Sequence, residues 1–226
     1  MEYRKTVKVT PDGKREIVDS AIVVEFTVNL YVNNELKFNM VCTPQNIHEL
    51  AVGRLLTEGV INCYDNIVSA YIDNERNEIF FQIDLDKNSI LRKDEQLPDV
   101  NYTDEWIFEM INVFAGDSEI HKKTKAAHSC ILARHGEILF KCEDIGRHNA
   151  IDKAIGYMYI NNIDPAECML FTSGRVPTEI ANKVIMAGVP ILISKAVPTD
   201  KAIDLAKKHN LQLLCKAWPD SYEIFA

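Results

Sequence analysis

Three apolar strands alternate with helical patterns in the second half of this chain, and this alternation restricts the fold more than any other feature. The strands are predicted at residues 168–172, 189–194 and 211–216. The helices around them are predicted to begin near Arg147, Pro177 and Thr199, and a hairpin precedes them at residues 127–142. Repeated strand–helix–strand units form parallel sheets, with the crossover helices packed on the faces. The pattern therefore predicts a mainly parallel α/β domain with helices on both faces.

The first half of the chain has an α+β pattern instead. Alternating apolar residues and turn sequences predict three hairpins, at residues 6–18, 26–41 and 67–85. Asn46 and Glu49 have the spacing of a capping box ahead of a helix that Gly59 ends. A charged, proline-containing stretch then separates the two halves. We therefore predict an N-terminal α+β domain at residues 1–102 and a C-terminal α/β domain at residues 103–226.

A polar segment with the sequence EDIGRHNAIDK, residues 143–153, connects the predicted hairpin to the next helix. The free N–H groups of a helix N-terminus favour anions, and Arg147 and Lys153 add positive charge. The segment therefore predicts a site for phosphate or another anion. The alternative is that Asp144 or Asn149 caps the helix and the cations are solvated.

Further polar residues follow the other strands of the predicted sheet. Ligands of α/β sheets bind beyond the carboxyl ends of the parallel strands, so these residues are expected to meet there. The predicted binding residues are Asp144, Gly146, Arg147, His148, Asn149, Ser173, Gly174, Arg175 and Ser194. Arg147 and Arg175 can each hold a phosphate through two parallel hydrogen bonds, and the alternative is a solvated surface arginine. For His148, proton transfer, hydrogen bonding to phosphate and a structural role all stay open.

Several segments together resemble the FdhD/NarQ family of formate dehydrogenase accessory proteins. Residues 143–153 are similar to the family signature EDVGRHNAVDK, and residues 48–61 resemble its EELALGFLLTEGII segment. Residues 172–175 and 187–192 resemble its SGR and AGIPIL segments, so the similarity runs from about residue 22 to the C-terminus. The resemblance implies a three-layer α/β/α, cytidine deaminase-like fold for the C-terminal domain. It also implies that a loop with the family pattern FLRGxR binds the molybdenum cofactor; here that loop is Lys216, Ala217, Trp218, Pro219, Asp220 and Ser221.

One family motif is missing from this chain. Family members that move sulfur carry a CGxCG motif in a mobile loop, and its first cysteine holds a persulfide. The corresponding interval here, residues 91–100, contains no cysteine. A persulfide needs an accessible thiolate, whereas the cysteines of this chain lie mostly in apolar, strand-like contexts that predict burial. Cys130, two residues from His128, is the candidate substitute thiol, because strand alternation puts both side chains on one face.

The resemblance implies a protein that serves maturation of a formate dehydrogenase. In the family, sulfur passes from a cysteine desulfurase to a molybdenum cofactor, here expected as the bis(guanine dinucleotide) form. The expected partners are the formate dehydrogenase apoenzyme, a cysteine desulfurase and a second copy of this chain, and a guanine nucleotide is a further expected ligand. Because the cysteine pair is absent, enzymatic activity stays open, and the alternative is a non-catalytic cofactor chaperone or guanine-nucleotide-binding protein. A zinc deaminase is disfavoured, since the H-x-E and P-C-x-x-C motifs are absent.

Composition restricts the class of protein. The chain has 226 residues, of which 47% are hydrophobic and 26% charged, and its formal charge is −8. This predicts a globular cytoplasmic protein, because no apolar run approaches the roughly 20 residues of a membrane span and no signal-peptide core follows Met1. The acidic balance also disfavours a general nucleic-acid surface.

Overall fold

The computed structural model describes residues 1–86, 96–116 and 119–226, which form twelve strands and six α-helices. The strands are β1 (Glu2–Val9), β2 (Arg15–Ile22), β3 (Phe26–Val32), β4 (Glu35–Cys42), β5 (Ile67–Asp73), β6 (Glu78–Ile83), β7 (His128–Arg134), β8 (Glu137–Asp144), β9 (Cys168–Thr172), β10 (Ile191–Ser194), β11 (Gln212–Trp218) and β12 (Ser221–Ile224). The helices are α1 (Ile47–Thr57), α2 (Asp104–Gly116), α3 (Glu119–Thr124), α4 (Arg147–Ile160), α5 (Thr178–Met186) and α6 (Asp200–His209).

The predicted hairpins of the first half are confirmed. Strands β1 and β2 form an antiparallel ribbon, and a second sheet has the order β4-β3-β6-β5. Alternate residues of β3, such as Val28 and Leu30, are buried, as expected for a sheet with one face in the core. The capping-box prediction for α1 is wrong, because Asn46 adopts a left-handed backbone conformation and its side chain makes no capping hydrogen bond.

The C-terminal sheet is mixed, so the prediction of a mainly parallel sheet is wrong. Its order is β12-β11-β10-β9-β7-β8, and of these strands β9, β10 and β11 pair in parallel. Strand β7 is antiparallel to both β8 and β9, and β12 is antiparallel to β11. Strands β8 and β9 therefore point the same way, as their α4 crossover requires, but β7 lies between them. Strand–helix alternation gives the direction of successive strands and says nothing about a hairpin strand inserted between them.

Two apolar clusters pack on opposite faces of this sheet. One contains residues of α2, including Ile107 and Met110, together with Phe171 of the sheet. The other contains residues of α1, α4, α5 and α6 and also reaches Leu30 of the N-terminal sheet. The division into domains at residue 102 stays a prediction, and one continuous core contains residues from both sides of it.

Helices α1 and α4 approach each other through two glycines. A Cβ atom at Gly53 would lie 1.8 Å from the carbonyl oxygen of Asp152, and one at Gly156 would lie 1.9 Å from that of Glu49. No side chain fits at either position, so glycine allows the two backbones to touch. This crossing fixes α4, and therefore the position of its N-terminus relative to the sheet. None of the helices within the described residues is long and apolar enough to cross a membrane.

Candidate functional site

Asp144 and Lys153 form a buried ion pair that connects the EDIGRHNAIDK segment to the N-terminal sheet. Nζ of Lys153 lies 2.7 Å from Oδ2 of Asp144, and neither side chain is exposed. The Asp144 carboxylate also accepts hydrogen bonds from the backbone N–H groups of Thr43, at 3.0 Å, and Gly146, at 2.9 Å. Lys153 donates a further hydrogen bond to Oγ1 of Thr43, at 2.8 Å. Both charges are therefore used inside the protein.

A second buried network surrounds Asp152 and connects three helices. Its carboxylate lies 2.8 Å from Nε of Arg54 in α1 and 2.9 Å from Nζ of Lys183 in α5. It also accepts a hydrogen bond from Oγ1 of Thr57, at 2.8 Å. The sequence pattern did not indicate these three charged residues as a set. A signal was present, since Asp152 and Arg54 lie in two of the segments that resemble the family.

Asn149 joins the two networks. Its Nδ2 donates to Oδ1 of Asp144, at 2.9 Å, and its Oδ1 accepts from Arg54, at 3.0 Å. Gly146 occupies the N-cap position of α4, so neither Asp144 nor Asn149 is the capping residue. The prediction that both contact a ligand stays untested, but both already have partners within the fold.

Nε of Arg54 and Nε of Arg147 are both buried without a hydrogen bond, but Nε of Arg54 pairs with the Asp152 carboxylate at 2.8 Å. Arg147 differs, because it forms neither a hydrogen bond through Nε nor an ion pair with the residues that the structure describes. Its side chain lies against Gly174: a Cβ atom at Gly174 would be 3.0 Å from Cβ and 3.1 Å from Cδ of Arg147. The glycine of the Ser173–Arg175 loop therefore leaves room for the arginine. The result is a cation at the carboxyl edge of the sheet that no described carboxylate neutralises.

Two partly buried histidines lie in the electric field of Arg147. Burial lowers the pKa of His128, and the charge of Arg147 lowers it further. The same two causes, in the same order, lower the pKa of His148. Both imidazoles are therefore neutral at pH 7 and can each donate one hydrogen bond. Nδ1 of His128 lies 3.3 Å from Oγ of Ser173, which also accepts a hydrogen bond from the backbone N–H of Ser129.

The remaining predicted residues fall into a structural and an exposed group. Ser194 is fully buried, and its Oγ donates to the carbonyl oxygen of Gly174 at 2.8 Å, so it supports the loop that carries Arg175. Arg175 is exposed and forms no ion pair within the described parts of the chain. In the same parts, no group of three or more His, Cys, Asp or Glu side chains is arranged to hold a metal ion.

The segment predicted as a loop, residues 216–221, is mostly strand: residues 216–218 end β11, Pro219 and Asp220 form the turn, and Ser221 begins β12. Lys216 is exposed and paired with Glu223 at 2.8 Å, whereas Ala217 is buried. Trp218 is 46% exposed, and Nζ of Lys195 lies 4.5 Å from its ring centroid. The last three residues of the loop, Pro219, Asp220 and Ser221, are exposed.

Five of the six cysteines are buried, and Cys63 is partly exposed. Burial raises the pKa of Cys130 well above its ordinary value, and it raises that of Cys142 to about 12. This is the reverse of the lowering that a substitute nucleophile at Cys130 requires. Residues 91–95 of the interval that lacks the family's cysteine pair lie outside the described residues.

Comparison with a solved structure identifies the fold. The chain superposes on the crystal structure of a protein assigned as a formate dehydrogenase accessory protein, from Desulfotalea psychrophila, with a TM-score of 0.89. The two share 23% identity, and the match covers 99% of this chain and 96% of that chain. The fold is therefore the mixed α/β fold of that protein.

The sequence comparisons then identify the family. A model of the FdhD/NarQ family matches residues 23–226, and the chain belongs to this family. Protein FdhD from Methanocaldococcus jannaschii is 32% identical, over 98% of this chain and 96% of that protein. Sulfur carrier protein FdhD from Listeria monocytogenes is 28% identical, over 88% of this chain and 87% of that protein. The family prediction is confirmed.

Proposed function

We propose that this chain serves formate dehydrogenase maturation by binding the molybdenum bis(guanine dinucleotide) cofactor as its cargo. The observation that carries the proposal is Arg147, whose buried Nε lacks a partner among the described residues while its side chain lies on Gly174. Arg175, in the same loop as Gly174, supplies a second cation. A dinucleotide brings pyrophosphate oxygens, which are the acceptors that two guanidinium groups bind best.

The energetics favour an anion at this position. A buried donor without a partner costs about 1 to 3 kcal/mol, and an anion that accepts its hydrogen bond removes that cost. His128 and His148 are neutral and can add hydrogen bonds without opposing the negative charge of the ligand. The proposed site therefore binds an anion through the Arg147 guanidinium, whose buried Nε lacks a hydrogen-bond partner among the described residues.

The client enzyme is proposed from the relatives. The protein matched in structure is assigned as a formate dehydrogenase accessory protein, and several matched proteins carry the name sulfur carrier protein FdhD. A homodimer, a cysteine desulfurase as partner and the cytidine deaminase-like layout of the C-terminal domain belong to the same proposal through the resemblance.

The test is calorimetric titration with GDP, which carries the guanine and pyrophosphate groups of the cofactor. Arg147→Ala and Arg175→Ala should each weaken binding roughly ten- to a hundredfold, because a charge-assisted hydrogen bond contributes about 1.5 to 3 kcal/mol. Arg134→Ala is the matched control, since Arg134 lies at the opposite end of β7. Unchanged dissociation constants in both folded site variants would remove these arginines from the proposed site.

A second candidate function, a cofactor chaperone without sulfur transfer, is favoured by the thiols. Burial raises the pKa of Cys42, Cys130, Cys142, Cys168 and Cys215, which leaves them as poor nucleophiles. After incubation with a cysteine desulfurase and cysteine, mass spectrometry should show no stoichiometric adduct of about 32 Da, the mass of one sulfur atom. A reducible adduct that disappears in Cys130→Ser would establish a relocated sulfur-carrying thiol at Cys130. One that disappears in Cys63→Ser would place that thiol at the partly exposed Cys63 instead.

A further inference from the structure

His128, the first residue of β7, is connected to the loop that follows β9. Its Nδ1 lies 3.3 Å from Oγ of Ser173. The same Oγ accepts a hydrogen bond from the backbone N–H of Ser129, at 3.0 Å, and the N–H of Ser173 donates to the carbonyl oxygen of Ser129, also at 3.0 Å. The next residue of the loop, Gly174, lies against the Arg147 side chain. One loop therefore connects the imidazole to the guanidinium that is proposed to bind the anion.

Three charged or titratable side chains from three elements act on His128. Burial is the largest cause that lowers the pKa of His128, followed by the charge of Arg147 in α4 and then by His121 in α3. Asp144, which lies opposite His128 on β8, acts in the other direction, but its carboxylate is already paired with Lys153. The neutral imidazole therefore depends on burial and on the charge of Arg147, which no described carboxylate neutralises.

His148 has different neighbours and responds less to the charge of Arg147. Burial and Arg147 lower its pKa as well, but Lys183 and Arg54 lower it further, against the effect of Asp152. An anion on Arg147 leaves these two lysine and arginine charges in place. Among the described groups that act on His128, by contrast, Arg147 is the one permanent cation. The imidazole that responds to an anion at Arg147 is therefore that of His128.

The Ser173 hydroxyl can serve His128 in either protonation state. Because Oγ already accepts the N–H of Ser129, it keeps one proton to donate and one lone pair to accept with. The hydroxyl donates to Nδ1 of the neutral imidazole, and it accepts from Nδ1–H of the imidazolium. A proton can therefore be added to the ring without loss of the contact that holds the loop.

We propose that His128 is a positioning residue that takes up one proton from solvent when a phosphate binds to Arg147, so that anion binding and protonation of this imidazole are coupled. The proton adds to Nδ1, and no covalent bond to the ligand forms or breaks. The inference rests on the proposed function, because it requires an anion at Arg147. The imidazolium brings a further positive charge to the loop of Arg175, so the site favours doubly charged phosphate or pyrophosphate groups.

The test uses sulfate as the probe, because sulfate stays a dianion between about pH 6 and 8, whereas a terminal phosphate titrates in this range. Calorimetry on the full chain at constant ionic strength should show sulfate binding roughly five- to tenfold more tightly at about pH 6 than at pH 8. Titrations in buffers of different ionisation enthalpy should show net proton uptake.

His128→Gln keeps a hydrogen-bonding side chain that does not titrate, and should reduce this affinity ratio to less than about twofold. His135→Asn is the matched control, because His135 is exposed at the opposite end of β7. Asparagine suits the left-handed backbone at this position, where φ is 51°. The control should keep the affinity ratio of the parent protein.

Proton NMR of the His128 ring provides a readout that a purely structural role would not change. The signal is assigned by its loss in His128→Gln. Sulfate should move the midpoint of its titration to higher pH, because the anion offsets the charge of Arg147. Arg147→Ala should raise the midpoint in the absence of sulfate, for the same reason.

The outcomes separate this inference from the proposed function. If sulfate binds equally well at both pH values and leaves the His128 titration unchanged, the coupling is refuted while anion binding stands. If His128→Gln weakens binding equally at both pH values and keeps the parent's ratio, His128 only supports the loop, which also refutes the inference. If the parent protein binds neither sulfate nor pyrophosphate, the anion site fails, and the proposed function fails with it.

Discussion

Replacing Lys153 by methionine tests the role that the structure gives to the EDIGRHNAIDK segment. The side chains of Lys153 and Asp144 are both fully buried, and Nζ of Lys153 lies 2.7 Å from Oδ2 of Asp144. After the change, Asp144 keeps its hydrogen bonds from the backbone N–H groups of Thr43 and Gly146. Methionine has nearly the same length as lysine and no charge. The variant therefore isolates the cost of leaving one buried carboxylate without its cation.

The expected cost is large. Removing one partner of a buried pair destabilises a protein by about 3 to 5 kcal/mol, because the remaining charge stays desolvated. Against a total stability of about 5 to 15 kcal/mol, this is a substantial fraction. For a chain of this size it corresponds to a fall in Tm of about 6 to 20 °C. Adding Asp144→Asn should recover most of that loss, since the double variant buries neither charge.

Thermal and urea unfolding of the single and double variants measure the coupling energy of the pair as a double-mutant cycle. Lys8→Met is the matched control, because Lys8 pairs with Glu16 at 3.5 Å on the exposed ribbon and should lose less than about 1 kcal/mol. A fall in Tm of Lys153→Met no larger than that of Lys8→Met would refute the structural role. So would a double variant that is less stable than Lys153→Met.

Three further predictions follow from the helix crossing, the thiols and the histidines. Gly53→Ala should prevent α1 from packing on α4, so the variant should either unfold cooperatively at a much lower temperature or fail to fold, as measured by circular dichroism. An unchanged Tm would contradict the 1.8 Å approach of a Cβ atom at Gly53 to the carbonyl oxygen of Asp152. In the native protein an aromatic disulfide reagent should react rapidly with one thiol, Cys63, and with all six only after unfolding, so that Cys63→Ser removes the fast phase. Because the folded pKa values of His128 and His148 lie below the unfolded value of 6.5, the unfolded chain binds more protons and stability falls as pH drops below that value. Replacing both histidines by glutamine should flatten this decline in urea unfolding measured between about pH 7 and 5, and an unchanged slope would assign it to other groups.

The local elements of the fold were predictable because they depend on neighbouring residues. Alternation identified the faces of β3, turn residues located the hairpins, and helical spacing located α4, α5 and α6. The place of β7 between β8 and β9 was not predictable, because strand order depends on which faces pack together. The Asn46–Glu49 spacing did not produce the predicted capping box, because Asn46 adopts a left-handed conformation in which its side chain does not cap the helix.

The sequence by itself determined the family, the residues that could carry charge at the site and the absence of a cysteine pair from the expected interval. Only the tertiary structure decided how those charges are used. Asp144 and Asn149 are joined to Thr43 and Arg54, which lie about a hundred residues away along the chain, whereas Nε of the neighbouring Arg147 has no partner among the described residues. Side chains adjacent in sequence thus have opposite roles, because the contacts that satisfy a buried polar group come from elements that only the folded chain brings together.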